Sequence, residues 1–276
     1  MVMEIACPVC GTSPSFVYND DDIKMFLCHG CQRNQRYDTL INSSIGKSRN
    51  SIHKQVSINH SSILSDLPRA TSLHDSHVLV QFIRSRRIPD SHSSMFLYTE
   101  LLGSLVNRYG YNLKDGQQKV IIPFYDKDKK LFALQARALD NSEPKYITIL
   151  LDKNKDKIFG LDRWDESKET IVVEGPIDSL FLPNCLAMAG SDMAKNKYLN
   201  TDMIICLDNE PRNAEIISKY SKFIERGFKI VIWPDNVRSK DINDMILDNL
   251  NPHQIIKENI FQGLQAKIKL DNWKRV

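Results

Sequence analysis

The chain has 276 residues, 42% hydrophobic and 26% charged, with a formal net charge of +3. That length and composition suit one large or two modest soluble domains and exclude wholesale disorder. They also exclude a generic polycation, so nucleic acid would have to be held through local patches. No apolar run approaches the ~20 residues needed to cross a bilayer. The start, Met1-Val2-Met3-Glu4-Ile5, lacks the basic segment and apolar stretch of a secretion signal, which predicts a protein kept in a reducing compartment, away from membranes.

Four of the six cysteines crowd the first module, residues 1–40: Cys7-x-x-Cys10, a seventeen-residue gap, then Cys28-x-x-Cys31. Each Cys-x-x-Cys knuckle sets two thiolates on one side of a tight turn. Two knuckles complete a tetrahedral sulfur site, which predicts a zinc ribbon with Cys7, Cys10, Cys28 and Cys31 as ligands. A four-thiolate site has no open position, so the metal is expected to be structural, and His29 is expected in an exposed loop. The module is not basic, because Asp20, Asp21 and Asp22 offset Lys24, Arg33 and Arg36. It would read nucleic acid with a few side chains among Phe16, Tyr18, Phe26, Arg33 and Arg36, although most of those aromatics are better placed to pack the ribbon.

Residues 41–72 are rich in serine and poor in large apolar residues, which reads as a flexible linker. Within it, Gly46-Lys47-Ser48 mimics the end of a phosphate-binding loop. The leading glycine would fall at Ile41, and no strand precedes it, so the match is rejected and no helicase motor is expected in this chain.

From residue 73 the pattern becomes periodic. Val78, Leu79, Phe82 and Ile83 share one face of a helix that Arg86-Arg87-Ile88-Pro89 ends. Residues 120–125 and 131–135 form a hairpin around a turn at 126–130, and 146–150 is a further strand. After 168 the character changes. Apolar strands at 171–175, 185–190, 203–208 and 229–233 alternate with helical segments, one starting at Pro176 and an amphipathic one over 214–226 with Gly227 just past its end. That alternation predicts a parallel sheet covered by helices. Cys185 and Cys206 fall inside these strands and behave as small hydrophobes. The fold class is therefore α/β: a zinc ribbon (1–40), a linker (41–72), a mixed α+β subdomain (73–168), and the parallel-sheet domain with its tail (169–276).

Acids follow the parallel strands: Glu174, Asp208 with Glu210 two residues on, and Asp241 with Asp244. Sites in open parallel sheets form outside the carboxyl ends of the strands, so these acids should meet at one edge. Carboxylates so crowded repel one another unless a cation neutralises them, and hard oxygen ligands favour Mg²⁺ or Mn²⁺. The plainer alternative is that such acids merely cap helices. It suits one acid better than the whole set.

Three segments resemble the signatures of the TOPRIM domain: Val172-Val173-Glu174-Gly175-Pro176-Ile177-Asp178, Leu207-Asp208-Asn209-Glu210-Pro211-Arg212, and Ser239-Lys240-Asp241-Ile242-Asn243-Asp244. They are most similar to the version found in DNA primases of T-even-like tailed bacteriophages. The segments at 120–125, 135–139, Pro144-Lys145-Tyr146-Ile147-Thr148 and Lys157-Ile158-Phe159-Gly160-Leu161 are similar to the basic subdomain of bacterial-type primases. The resemblance covers nearly all of the chain except the linker. It implies a DNA-directed RNA polymerase that makes short RNA primers on single-stranded DNA from ribonucleoside triphosphates. Glu174, Asp208 and Glu210 would be the principal catalytic and metal-site acids, with Asp241 and Asp244 completing the cluster. Arg137, Lys145 and Lys157 would contact template or nucleotide phosphates. The resemblance further implies structural Zn²⁺, catalytic Mg²⁺ or Mn²⁺, a hexameric replicative helicase as partner within a primosome, an oligomer there, and the host cytoplasm as location. The chain departs from the broader TOPRIM pattern at one point: the usual Asp-x-Asp is Asp208-Asn209-Glu210, one methylene longer at its second acid. Two other readings use the same motifs, a TOPRIM nuclease and a non-catalytic zinc/TOPRIM recombination mediator. Ribonucleotide polymerisation separates the first, and an intact acidic cluster counts against the second.

Overall fold

The computed structural model describes residues 3–5, 7, 15–20, 23–28, 33–36, 60–140, 142–190 and 196–276. The chain divides into two compact units, Met1–Ile58 and Asn59–Val276.

The first unit is a four-stranded antiparallel sheet in the order β1 (Met3–Ile5), β2 (Ser15–Asp20), β3 (Ile23–Cys28), β4 (Arg33–Arg36). Its small core gathers Cys7, Val17, Phe26 and Cys28. Phe26 is fully buried and so packs the unit rather than meeting a ligand. Of the expected zinc ligands, Cys10 and Cys31 lie outside the described residues.

The second unit begins earlier than composition suggests. His60–Leu64 and Ala70–Ser72 form short 3-10 helices, and Ile63, Leu64 and Ala70 are buried. Residues 60–72 are therefore part of the folded unit and not linker. Three apolar side chains anchor them in a serine-rich stretch, and an average over composition does not register so few.

An antiparallel sheet follows, β5 (Leu97–Thr99), β6 (Lys119–Tyr125), β7 (Leu131–Ala138) and β8 (Tyr146–Leu150), each paired with its neighbour. The unbroken apolar run of β6 has a simple cause. Val120, Ile122 and Phe124 enter one core cluster, while Ile121 enters another with Leu134, Ala136 and Ile149, so both faces are covered. The helix Val78–Ser85 packs Leu79 and Ile83 into the first of these cores.

The parallel sheet runs in the order β10 (Cys185–Ala187), β9 (Ile171–Val173), β11 (Ile204–Ile205), β12 (Lys229–Val231), β13 (Ile260–Phe261). The first four strands are parallel and β13 is antiparallel to β12. The amphipathic helix Ala214–Glu225 starts from an Asn213 cap and buries Ile216, Tyr220, Phe223 and Ile224. Gly227 follows it at φ 83°. The helix expected at Pro176 is a single 3-10 turn, Asp178–Phe181. Leu182 precedes Pro183 and is extended, because the proline ring excludes the helical region for the residue before it. The segment is too short for more than one turn.

Candidate active site

Glu174 directly follows β9 and Asp208 lies just beyond β11, its neighbour in the sheet. Asp241 caps the helix Ile242–Leu247, accepting from the Asp244 amide at 2.7 Å. The plain capping role thus holds for Asp241, yet its carboxylate also lines a cleft of about 500 Å³ shared with Glu174, Asp178 and Asp208. Asp178 was not singled out from the sequence. It sits on the turn after β9, where Gly175 allows it to fold back: a Cβ on Gly175 would lie 2.7 Å from Asp178 Oδ2. Asp178 Oδ1 accepts from the Asn243 amide at 3.0 Å.

The carboxyls are crowded and poorly solvated. Burial, then the charges of Glu174, Asp178 and Asp241, push Asp208 up to about 8. Burial and Asp241 push Asp178 up to about 7, although it keeps a little accessible surface. Glu174 is raised by burial against the opposing pull of Lys219. Lys219 Nζ stands 3.6 Å from Glu174 Oε1, an ion-pair distance too long for a hydrogen bond, and that buried oxygen has no hydrogen-bond partner.

The other two expected acids stand apart. Glu210 Oε1 pairs with Lys240 at 3.1 Å, and its other oxygen accepts from Asn213 Nδ2 at 3.2 Å. Asp244 sits in the first turn of the helix that Asp241 caps, its carboxyl raised by burial and by Asp241. Neither lines the cleft. Among the described residues, no three His, Cys, Asp or Glu side chains are placed to hold a metal ion.

Basic residues from the antiparallel sheet and the Val78–Ser85 helix end line the same cleft, while Lys219 and Lys240 stand among the acids. Arg137 on β7 and Tyr146 on β8 are register partners, and both line the cleft with Lys145. The Arg137 guanidinium lies 5.4 Å from the centre of the Phe82 ring, which fixes it over an apolar surface. Lys145 follows a turn tied down by Lys119, a buried lysine whose ammonium donates to Ser142 Oγ at 3.2 Å and Pro144 O at 3.5 Å. Arg86, at the end of the Val78–Ser85 helix, also reaches the cleft. Its Nη1 donates to Asn243 Oδ1 at 2.8 Å, and Asn243 Nδ2 donates to Arg86 O at 2.7 Å. The sequence pointed to Arg86 only as part of a helix end. Lys157 does not line the cleft. It leads into Ile158 and Phe159, where Phe159 bridges to Ala187, and Gly160 lets the chain pass β10, since a Cβ there would lie 2.9 Å from Cys185 O.

A cleft with carboxylates on one side and guanidinium and ammonium groups on the other can hold phosphates and, beside them, a divalent cation. Comparison with known proteins places the chain. A DNA primase of Enterobacteria phage T4 is 30% identical over 314 aligned positions, spanning 99% of this chain and 91% of the relative. The chain belongs to the DNA primase family. No family model matches it. Among solved structures, the zinc-binding and RNA polymerase domains of the Aquifex aeolicus primase align with a TM-score of 0.55 at 14% identity, over 91% of this chain and 80% of that one. A DnaG primase catalytic domain bound to ssDNA aligns at 0.55 and 13% identity, over 77% of this chain and 80% of that one. At such identities the likeness is one of fold: the antiparallel sheet followed by the parallel one is a primase catalytic architecture. The cleft lined by Glu174, Asp178, Asp208 and Arg137 is its candidate active site. No helix among the described residues is long and apolar enough to cross a membrane.

Proposed function

We propose that this primase joins ribonucleoside triphosphates into short RNA primers on a single-stranded DNA template by metal-dependent nucleotidyl transfer. The observation that carries the reading is the opposition of acids and bases across one cleft. In the reaction the 3′-hydroxyl of one nucleotide attacks the α-phosphorus of the next. A P–O bond forms, the bond to pyrophosphate breaks, and the hydroxyl proton is released.

The donor set fits Mg²⁺ or Mn²⁺. It is all oxygen, Glu174 Oε1 is buried and has no hydrogen-bond partner, and Asp208 and Asp178 are pushed toward neutrality by burial and by neighbouring carboxylates. Glu174, Asp208 and Asp178 would hold the ion once their side chains turn toward one point, since as they stand no three of them converge on a metal position; Asp241 lies beside them, and Glu210 and Asp244 stand farther out. A bound divalent cation supplies charge that stabilises the attacking and leaving oxygens. Arg137, Lys145 and Arg86 hold template or nucleotide phosphates, and Tyr146, 59% exposed at the cleft, offers a face for a base. Lys157 acts at longer range, outside this lining.

In the first unit, the Cys-x-x-Cys spacing and the burial of Cys7 and Cys28 support a structural zinc completed by Cys10 and Cys31. Elemental analysis should find about one zinc per chain, and Cys28→Ser should release it while the unit Asn59–Val276 melts as before. A replicative hexameric helicase is the proposed partner, within a primosome where this chain could act as an oligomer. Primer yield measured with and without the cognate helicase tests it.

The deciding experiment incubates the chain with single-stranded DNA, ribonucleotides and Mg²⁺ and resolves the products. Ribonucleotide chains bearing a 5′-triphosphate support the reading. Shortened DNA with no RNA product would replace it with a nuclease.

A further inference from the structure

A second cleft, of about 590 Å³, opens on the other side of the Asp208–Glu210 turn. Asp208 lines the active site, whereas Glu210 lines this neighbour together with Arg212, Arg238, Arg275, Trp233 and Trp273. Its volume is that of an ordinary small-ligand site. Its lining carries three arginines against two acids, Glu210 and Asp235, each of which has a basic partner. Arg275 is held in place by Asp235 at 2.9 Å and by its amide on Pro211 O at 2.8 Å. Glu210 is neutralised by Lys240 at 3.1 Å. Arg212 and Arg238 are exposed, and among the described residues neither guanidinium has a hydrogen bond or an ion pair. The N-cap of the twelve-residue helix Ala214–Glu225, Asn213, forms part of the wall, which adds the positive end of the helix to the two free arginines.

The apolar walls say what this cleft does not read. Trp233 Nε1 donates to Leu207 O at 2.8 Å and Trp273 Nε1 donates to Asn209 Oδ1 at 3.3 Å, and both indoles are nearly buried. They offer ring surface without a free donor, so the ligand would be recognised by its charge and not by the pattern of a base.

We propose that this cleft binds the triphosphate of the initiating nucleotide. The inference rests on the primer-synthesis reading above. An enzyme that starts a chain faces a need that one extending a chain does not: two nucleoside triphosphates must be held at once. The first gives its 3′-oxygen to the α-phosphorus of the second. The second loses pyrophosphate, and the 3′-hydroxyl proton is released. The first keeps all three of its phosphates, so they require a place distinct from the one where pyrophosphate leaves. A basic cleft separated from the catalytic acids by a single turn supplies it. The base of the initiating nucleotide would be chosen by pairing with the template, which agrees with two indole walls whose N–H groups are already taken.

The test uses the full chain and the double variant Arg212→Ala/Arg238→Ala. Both side chains are exposed and unpaired, so the melting temperature should not change. ATP, titrated without template, should quench tryptophan emission, because two of the three tryptophans of the chain line this cleft and none lines the active site. The double variant should bind ATP at least tenfold more weakly, and AMP should bind wild type at least tenfold more weakly than ATP. In primer synthesis, the KM for the initiating nucleotide should rise at least tenfold. Extension of an annealed RNA primer with a 5′-hydroxyl should change less than threefold. Unaltered ATP binding in the double variant, or equal loss of initiation and extension, overturns the proposal. So does a matching loss of single-stranded DNA affinity with a shallower salt dependence, which would assign the arginines to template phosphates. If wild type makes no primer yet ATP still binds in an arginine-dependent manner, the polymerase reading fails and the triphosphate site stands.

Discussion

The two walls of the active-site cleft are built on opposite principles. On the basic wall two functional side chains also serve the fold: Arg137 lies over Phe82, and Arg86 exchanges hydrogen bonds with Asn243. On the acidic wall the side chains oppose the fold. Glu174, Asp178 and Asp208 are gathered by the strand ends into a site where each suffers from burial, and neighbouring carboxylates add to the cost for all three. One wall contributes to stability while it binds. The other is kept in place by its scaffold against its own electrostatic cost.

The sharpest way to break that contrast is to neutralise the acids. Glu174→Gln and Asp208→Asn should each reduce primer synthesis on the order of a thousandfold at any Mg²⁺ or Mn²⁺ concentration. Both should bind single-stranded DNA normally. Each should melt at or above the wild-type temperature, by roughly 3 °C for Asp208→Asn at pH 8, because the substitution relieves repulsion and empties no core. Near-normal synthesis in both variants would reduce the acids to ordinary strand-end polar groups.

A pH titration sharpens it next. Asp208 and Asp178 have folded values of about 8 and about 7, above those of an unfolded carboxylate. The folded state therefore binds more protons than the unfolded one between pH ~4 and ~8. The stability is fully present below pH ~4, as far as these groups are concerned, and is lost as pH rises through the folded values. Metal-free protein should lose roughly 5 °C or more in melting temperature between pH 5 and pH 8. Asp208→Asn should flatten that slope, and millimolar Mg²⁺ should restore the loss at pH 8. A melting curve flat over this range would show that the acids are not coupled.

The smallest effects belong to the basic wall. Arg137→Ala and Lys145→Ala should each weaken single-stranded DNA binding about tenfold and reduce the salt slope by about 0.7. Arg137→Ala should also cost stability, since its stacking on Phe82 is lost. Lys157→Ala, outside the cleft, should change affinity less than about twofold. Equal losses at all three positions would mean that the template path runs beyond the cleft lining.

Much of this arrangement was legible in the sequence, for reasons that differ by region. The hairpin of β6 and β7 announced itself through two apolar runs around an Asp-Lys turn, where Asp126 Oδ1 indeed accepts from the Asp128 and Lys130 amides, each at 3.0 Å. Glu174 and Asp208 were found because a parallel strand that ends in an acid has few structural uses for it. The strands themselves are shorter than their apolar runs. Met188 and Leu207, for example, are buried without belonging to a strand, since burial and ladder pairing are separate demands. Asp178 was quoted but passed over. Its importance depends on Gly175 bending the chain back and on a distant Asn243 amide, and neither contact shows in local pattern. Arg86 was hidden for the same reason, being 157 positions from its partner. Glu210 and Asp244 were placed with the other acids by motif, but their side chains lie outside the cleft lining.

Asn243 meets both walls. It exchanges two hydrogen bonds with Arg86 at the end of one helix, and its amide holds Asp178 on the turn after β9. A reciprocal pair of this kind opens only if both bonds break together, and each buried group left unsatisfied costs about 1–3 kcal/mol. Asn243 thus works as a clasp at the back of the cleft: a single amide side chain and its own backbone N–H tie the helix that carries Arg86 to the turn that carries Asp178.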